Sequence, residues 1–216
     1  MARISVLGGT GYAGSTIVAA AAPAGHDVTS FSRNAPADPT AGVDYRTGDV
    51  ADETLLAQAV EGADVVVAAL SPRGALEGEG RLRSIYATVA GLALKHGARL
   101  GVVGGAGSLF ASEGGPLVFD TPSFPDAIKP EAAELTAVLE DLRAGDQDLD
   151  WFFVSPAGGF GAWAPGEATG EYRIGGDVLL VDDAGESFIS GADFGHAVVN
   201  EIEVAAHSRK RFTVAY

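Results

Sequence analysis

Cysteine is absent from the 216-residue chain, and basic residues are scarce, with 14 Lys and Arg against 29 Asp and Glu. The first absence excludes disulfides, thiolate nucleophiles and Cys-ligated zinc or iron–sulfur centres. The second leaves a formal net charge of −15. That charge argues against nucleic acid and anionic membranes as partners, because both are held by basic patches. An anionic ligand must then be bound by local groups against an unfavourable overall field, so each well-placed arginine or lysine is informative. No apolar run approaches the ~20 residues needed to cross a bilayer. Met1 leads straight into a strand pattern, without the basic region and small-residue cleavage site of a secretion signal, and the expected location is cytoplasmic. The four histidines, His26, His96, His196 and His207, have no metal-ligand spacing, so no metal is expected; His196 falls near the core face of the final helix. With 47% apolar and 20% charged residues, the composition fits one compact domain over residues 1–216.

What the chain has in quantity is glycine. Arg3-Ile4-Ser5-Val6-Leu7 runs into Gly8-Gly9-Thr10-Gly11-Tyr12-Ala13-Gly14 and then an Ala-rich stretch, which reads as strand, tight turn and helix. The spacing is G-x-x-G-x-x-G. Gly8 permits the sharp turn, Gly11 has no side chain to keep a pyrophosphate from the backbone, and Gly14 lets the helix pack closely. The free N–H groups and positive dipole end of that helix suit phosphate.

The second strand, Asp27 to Ser32, ends at Arg33 with no acid from Thr29 to Asn34. An acid here would bind the 2′-hydroxyl of NAD, whereas an arginine accommodates the 2′-phosphate of NADP; the alternative is a solvated surface arginine. NADP(H) is therefore expected over NAD(H). Gly48-Asp49-Val50 follows the third strand, where Asp49 would either accept from adenine or shape a turn, with Val50 packing on the ring. Asp52 caps a helix bearing Leu55, Leu56, Ala59 and Val60, which Gly62 stops. Asp64 to Leu70 is a continuously apolar strand, as in a parallel sheet covered on both faces. Small residues at its end, Ala69 beside Leu70, leave room for a cofactor.

A long helix over about 79–95 and a second strand-into-glycine run, Arg99 to Leu109, complete an alternation that predicts a doubly wound parallel sheet of Rossmann type. Ligands in such sheets lie at the carboxyl ends of the strands, which places the glycine turn, Arg33, Asp49, Ala69 and Ser108 along one edge. Residues 111–125 form a loop long enough to cover a site, and a helix follows to about Arg143. The next strand, Asp150 to Val154, ends in Ser155-Pro156-Ala157. Residues 161–176 read as loop, 178–181 and 187–189 as a small hairpin across 182–185, and Ser190 as the cap of the last helix before a closing strand at 211–216.

Taken together, Gly8 to Gly14, Ser32-Arg33-Asn34, Gly48-Asp49-Val50, Val103 to Leu109, Lys129-Pro130-Glu131-Ala132 and Phe188 to Asp193 resemble the atypical short-chain dehydrogenase/reductase superfamily. The likeness is to its NmrA-like branch and, within that, to the biliverdin-B or flavin reductase type. The resemblance implies that Gly8, Thr10, Gly11, Tyr12, Ala13 and Arg33 hold NADP and that Asp49-Val50 contacts adenine. It further implies that Gly105 and Ser108 lie beside the nicotinamide and that Pro156 backs its ring.

The Tyr-x-x-x-Lys pair of most short-chain dehydrogenases is missing: none of the five tyrosines has Lys four residues on, and alignment on Lys129 puts Pro125 at the tyrosine position. Pro130 biases Lys129 away from helical geometry, and Lys129 either reaches the cofactor or is a surface lysine. Two readings follow. In one, the protein is a reductase with Ser108 and Lys129 as catalytic candidates, passing hydride to a flavin, quinone or other conjugated acceptor in a pocket of Phe110, Phe160 and Trp163. In the other, it binds NADP(H) as a sensor without turnover. Partners are thus a small-molecule hydride acceptor, with the chain a monomer or homodimer.

Overall fold

The computed structural model describes residues 1–216. Eight strands form one sheet: β1 (Arg3–Leu7), β2 (Asp27–Ser32), β3 (Asp44–Thr47), β4 (Val65–Ala68), β5 (Arg99–Val103), β6 (Trp151–Pro156), β7 (Arg173–Gly175) and β8 (Lys210–Ala215). Their spatial order is β3-β2-β1-β4-β5-β6-β8-β7, parallel throughout except for β7, which runs antiparallel to β8. The order reverses beside β1, so a crevice opens where the connections of β1 and β4 leave in opposite directions.

Five helices cover the sheet: α1 (Tyr12–Ala21), α2 (Glu53–Val60), α3 (Arg81–His96), α4 (Lys129–Ala144) and α5 (Gly191–Val204). Alternation along β6 shows how one strand serves two cores. Trp151 and Phe153 join Leu56, Leu82, Val89, Leu100 and Leu139 beneath α2, α3 and α4. Phe152 and Val154 join Ile4, Val6, Ile17, Phe194 and Phe212 beneath α1 and α5. The apolar run of β4 is buried at every position, as a central strand covered on both faces requires.

The helix ends follow the side chains that can satisfy them. Asp52 accepts from the Thr54 N–H at 2.8 Å to start α2. Ser190 accepts from the Asp193 N–H at 3.1 Å to start α5. Both contacts replace a missing intrahelical acceptor.

Four local expectations are corrected. The 182–185 turn forms, with Asp182 N–H donating to the Glu186 carbonyl at 2.8 Å, but its arms build no hairpin. Leu179 instead donates to the Phe110 carbonyl at 2.9 Å, and the Ser187 carbonyl accepts from Gly159 at 2.7 Å. Each arm has found a better partner in a loop near the carboxyl edge. Second, residues 173–175, read as loop, form β7; this exposed three-residue edge has no burial alternation to reveal it. Third, Lys129 is helical (φ −57°, ψ −42°) despite Pro130, because a proline in the first turn costs no hydrogen bond and the helix wins. Fourth, His196 is exposed; the buried stripe of α5 passes through Phe194, Ala197 and Val198 on the other side.

Candidate functional site

The turn after β1 is built by sterics. Gly8 sits at φ +82°, and a Cβ there would lie 2.5 Å from the Ala69 carbonyl oxygen. A Cβ on Gly14 would lie 2.2 Å from the Gly8 carbonyl oxygen, so α1 rests on the turn at a distance only glycine allows. The Thr10 N–H donates to Ser32 Oγ at 3.0 Å, tying the turn to the end of β2. Tyr12 and Ala13 open α1, where no preceding turn offers their N–H groups an acceptor. Two free donors and the positive end of a ten-residue helix thus face the carboxyl edge.

A groove runs along that edge on both sides of the turn. One side, with a volume of about 310 Å³, takes in Gly8, Thr10, Ser32, Arg33, Asn34, Asp49 and Val50. Arg33 is exposed there and forms no ion pair. Asp49 makes the turn contact anticipated as its alternative, with Oδ1 accepting from the Ala51 N–H at 2.9 Å, while Val50 is buried. The other side is a cavity of about 400 Å³ holding Tyr12, Ala13, Gly104, Gly105, Ser108, Pro156, Phe160 and Trp163. The two share Gly11, Ala69, Leu70, Ser71 and Arg73.

Every expected cofactor residue therefore lines one continuous groove, as does Ser108. Lys129 does not. Its Nζ is paired with the exposed Asp126 at 2.7 Å, outside the cavity. Phe110 is also elsewhere, bridged to Leu117 and Val178. Phe124 from the 111–125 loop lines the cavity, and Trp163 stands at it 72% exposed.

Tyr12 is the one tyrosine among the residues lining this cavity. The Tyr12 hydroxyl is buried without a partner, against Gly191 of α5, and burial raises its pKa. Tyr86 lies under the sheet, donating to the Ala68 carbonyl at 3.2 Å, and burial drives its pKa far upward. The Tyr216 hydroxyl is committed to Asp193 at 2.5 Å.

Arg73 and Glu131 are functional candidates that sequence reasoning missed. They pair at 2.7 Å where the two halves of the groove meet. The available signal was an arginine five residues beyond the carboxyl end of β4 in an acid-rich chain.

This fold and this groove define a dinucleotide-binding protein of Rossmann type. Residues 8–203 match the model of the NAD(P)H-binding family. The chain is 38% identical to the uncharacterized protein YwnB of Bacillus subtilis (strain 168), over 98% of this chain and 97% of that one. Among solved structures it is similar to a "putative NADH-flavin reductase" of Streptococcus pneumoniae TIGR4, with a TM-score of 0.86 and 31% identity over 100% of this chain and 99% of that one. It is also similar to a "putative epimerase" of Bacteroides thetaiotaomicron, with a TM-score of 0.88 and 30% identity over 100% and 98%. The chain belongs to the NAD(P)H-binding family.

Proposed function

We propose that the protein is an NADPH-dependent reductase that passes hydride to a planar conjugated acceptor of flavin or quinone type. The observation that carries this reading is the second half of the groove. Its walls are mostly glycine backbone, aliphatic groups and aromatic rings, with the Ser71 and Ser108 hydroxyls and the mutually paired Arg73 and Glu131 but without a Tyr–Lys pair. Such a cavity suits an acceptor whose conjugation spreads the incoming charge and which takes its proton from water. The cofactor fit rests on the glycine turn, whose close packing against Ala69 and α1 any Cβ at Gly8 or Gly14 would break, and on the two free N–H groups of α1.

When bound, the reduced nicotinamide supplies a hydride. The chain does the positioning: Gly8 to Ala13 bind the pyrophosphate, Arg33 the 2′-phosphate, and Asp49 with Val50 the adenine. Ala69, Leu70, Gly105 and Pro156 shape the path to the cavity. There Phe160 and Trp163 offer faces to a flat acceptor and Ser108 offers a hydrogen bond. The pneumococcal relative's name gives NADH; the preference for NADPH is argued from Arg33 alone.

The test is NADPH consumption by the purified protein with FMN, menadione and an enone, with NADH alongside. Turnover with NADPH favoured is expected. A second reading, an NADP(H) sensor, draws on the burial of the Tyr12 hydroxyl and the commitment of the Tyr86 and Tyr216 hydroxyls elsewhere. Tight NADPH binding without turnover on any acceptor would establish that reading in place of the reductase.

A further inference from the structure

Behind the cavity wall lies a cation that the cofactor site does not use. Arg211, in β8, has a side chain 1% exposed. Its Nη1 donates to the Ser108 carbonyl at 2.6 Å and to Ser108 Oγ at 3.1 Å. Its Nε and Nη2 lie 2.7 Å and 2.5 Å from Asp177 Oδ1, which Arg143 also holds at 2.9 Å. A chain of charge thus runs from the surface of α4 to the hydroxyl of Ser108, a residue of the cavity lining.

The arrangement constrains the hydroxyl. Ser108 Oγ has one proton and two lone pairs, and Arg211 fills one lone pair. The proton has one acceptor within the protein, the Gly105 carbonyl at 3.3 Å, which is long for an O–H···O bond and lies in the same cavity wall. The protein therefore holds this proton only weakly, on a residue that belongs to the cavity lining. A cationic donor on the same oxygen polarises the O–H, and the buried setting strengthens that effect. Anchoring β8 to the 177 segment and to the 106–108 turn would need only the Asp177 and Ser108 carbonyl contacts; the contact to Oγ is additional.

We propose that Arg211 is a positioning residue for the reduction, holding the Ser108 hydroxyl as a polarised donor towards the acceptor atom that becomes negative. This rests on the reductase reading. In the step, a C–H bond of the reduced nicotinamide breaks and its hydrogen passes with two electrons to the acceptor, leaving the ring oxidised. The negative charge gathers on an acceptor oxygen or nitrogen that takes the Ser108 hydrogen bond, and a proton from water completes the reduction.

The experiment compares wild type, Arg211→Met, Ser108→Ala and the double variant. One readout is kcat and KM for NADPH with menadione. The other is the ionisation of 4-nitrophenol bound in the cavity with NADP⁺ present, followed by its absorbance. Each single variant is expected to lower kcat about tenfold with KM little changed. Each should also raise the pH of half-ionisation of the bound phenol by about one unit. The double variant should be no worse than Ser108→Ala, since Arg211 acts through that hydroxyl. Multiplying effects in the double variant, or a folded Arg211→Met protein with wild-type kcat and phenol ionisation, would overturn the proposal. If Arg211→Met does not fold, Asp177→Asn removes the counter-ion that neutralises the guanidinium and should lower the pH of half-ionisation of the bound phenol; no movement overturns the proposal. Should wild type fail to oxidise NADPH, the reductase reading falls, while the phenol ionisation still decides whether Arg211 polarises Ser108.

Discussion

Replacing Arg33 with alanine should weaken NADP⁺ binding about tenfold and leave NAD⁺ within about twofold. Arg33 is exposed and breaks no existing ion pair on meeting a phosphate. A charge-assisted hydrogen bond contributes about 1.5–3 kcal/mol. Two features hold the value to the lower end: solvent screens an exposed contact, and Asp49 on the same wall repels a second negative charge. About 1.5 kcal/mol remains, or roughly tenfold in Kd. NAD⁺ lacks the 2′-phosphate, so its affinity should scarcely respond. Calorimetric titration of both cofactors at low and high salt provides the assay, with the wild-type preference for NADP⁺ shrinking as salt rises. Equal weakening of both cofactors by Arg33→Ala would exclude Arg33 as the 2′-phosphate ligand, as would wild-type protein that binds NAD⁺ as tightly as NADP⁺.

Three further outcomes are expected. Gly14→Ala places a methyl 2.2 Å from the Gly8 carbonyl oxygen, so it should destabilise the fold by about 1–3 kcal/mol in urea unfolding and impair cofactor binding. Burial pushes the Glu201 carboxyl up, but donors from His207 and Arg99 outweigh it and hold it below its ordinary 4.5. A depressed carboxylate stabilises the fold above its unfolded pKa and loses that contribution as pH falls through the folded one; thermal melts below pH 4.5 should decline, and less so in Glu201→Gln, which should itself be about 3 kcal/mol less stable at pH 7 because Arg99 loses its buried partner. Trp163→Leu should raise the KM for FMN or menadione about five-fold, the loss of one exposed stacking face, and remove the quenching of exposed tryptophan fluorescence by those acceptors.

The sheet and its glycine turn were legible because they rest on local patterns. An apolar run broken by glycines at fixed spacing, and then a small-residue helix, leaves few folds open. Arg33, Asp49 and Ala69 could be placed together because strand ends share an edge once the order is known. The remainder depends on contacts between distant residues. Nothing around Arg211 signals that its partners are Asp177, 34 residues away, and Ser108, 103 away. Lys129 looked catalytic through its neighbours, yet Asp126, three residues before it, holds it outside the cavity. The 178–181 and 187–189 arms suit a hairpin locally but were captured by Phe110 and Gly159.

The last strand pair bears on assembly. A sheet edge with free N–H and C=O groups is a template for a second chain. Here β7 covers the terminal residues of β8 and is only three residues long, while the Arg173 guanidinium occupies the carbonyls of Val181 and Tyr216. At the opposite margin, β3 is four residues long and presents Asp44 and Arg46 to solvent as an ion pair. Neither margin offers a long, bare, apolar strand. Both margins thus carry features that disfavour edge-to-edge growth of the sheet, a short strand on each side and, on β3, a charged pair facing solvent.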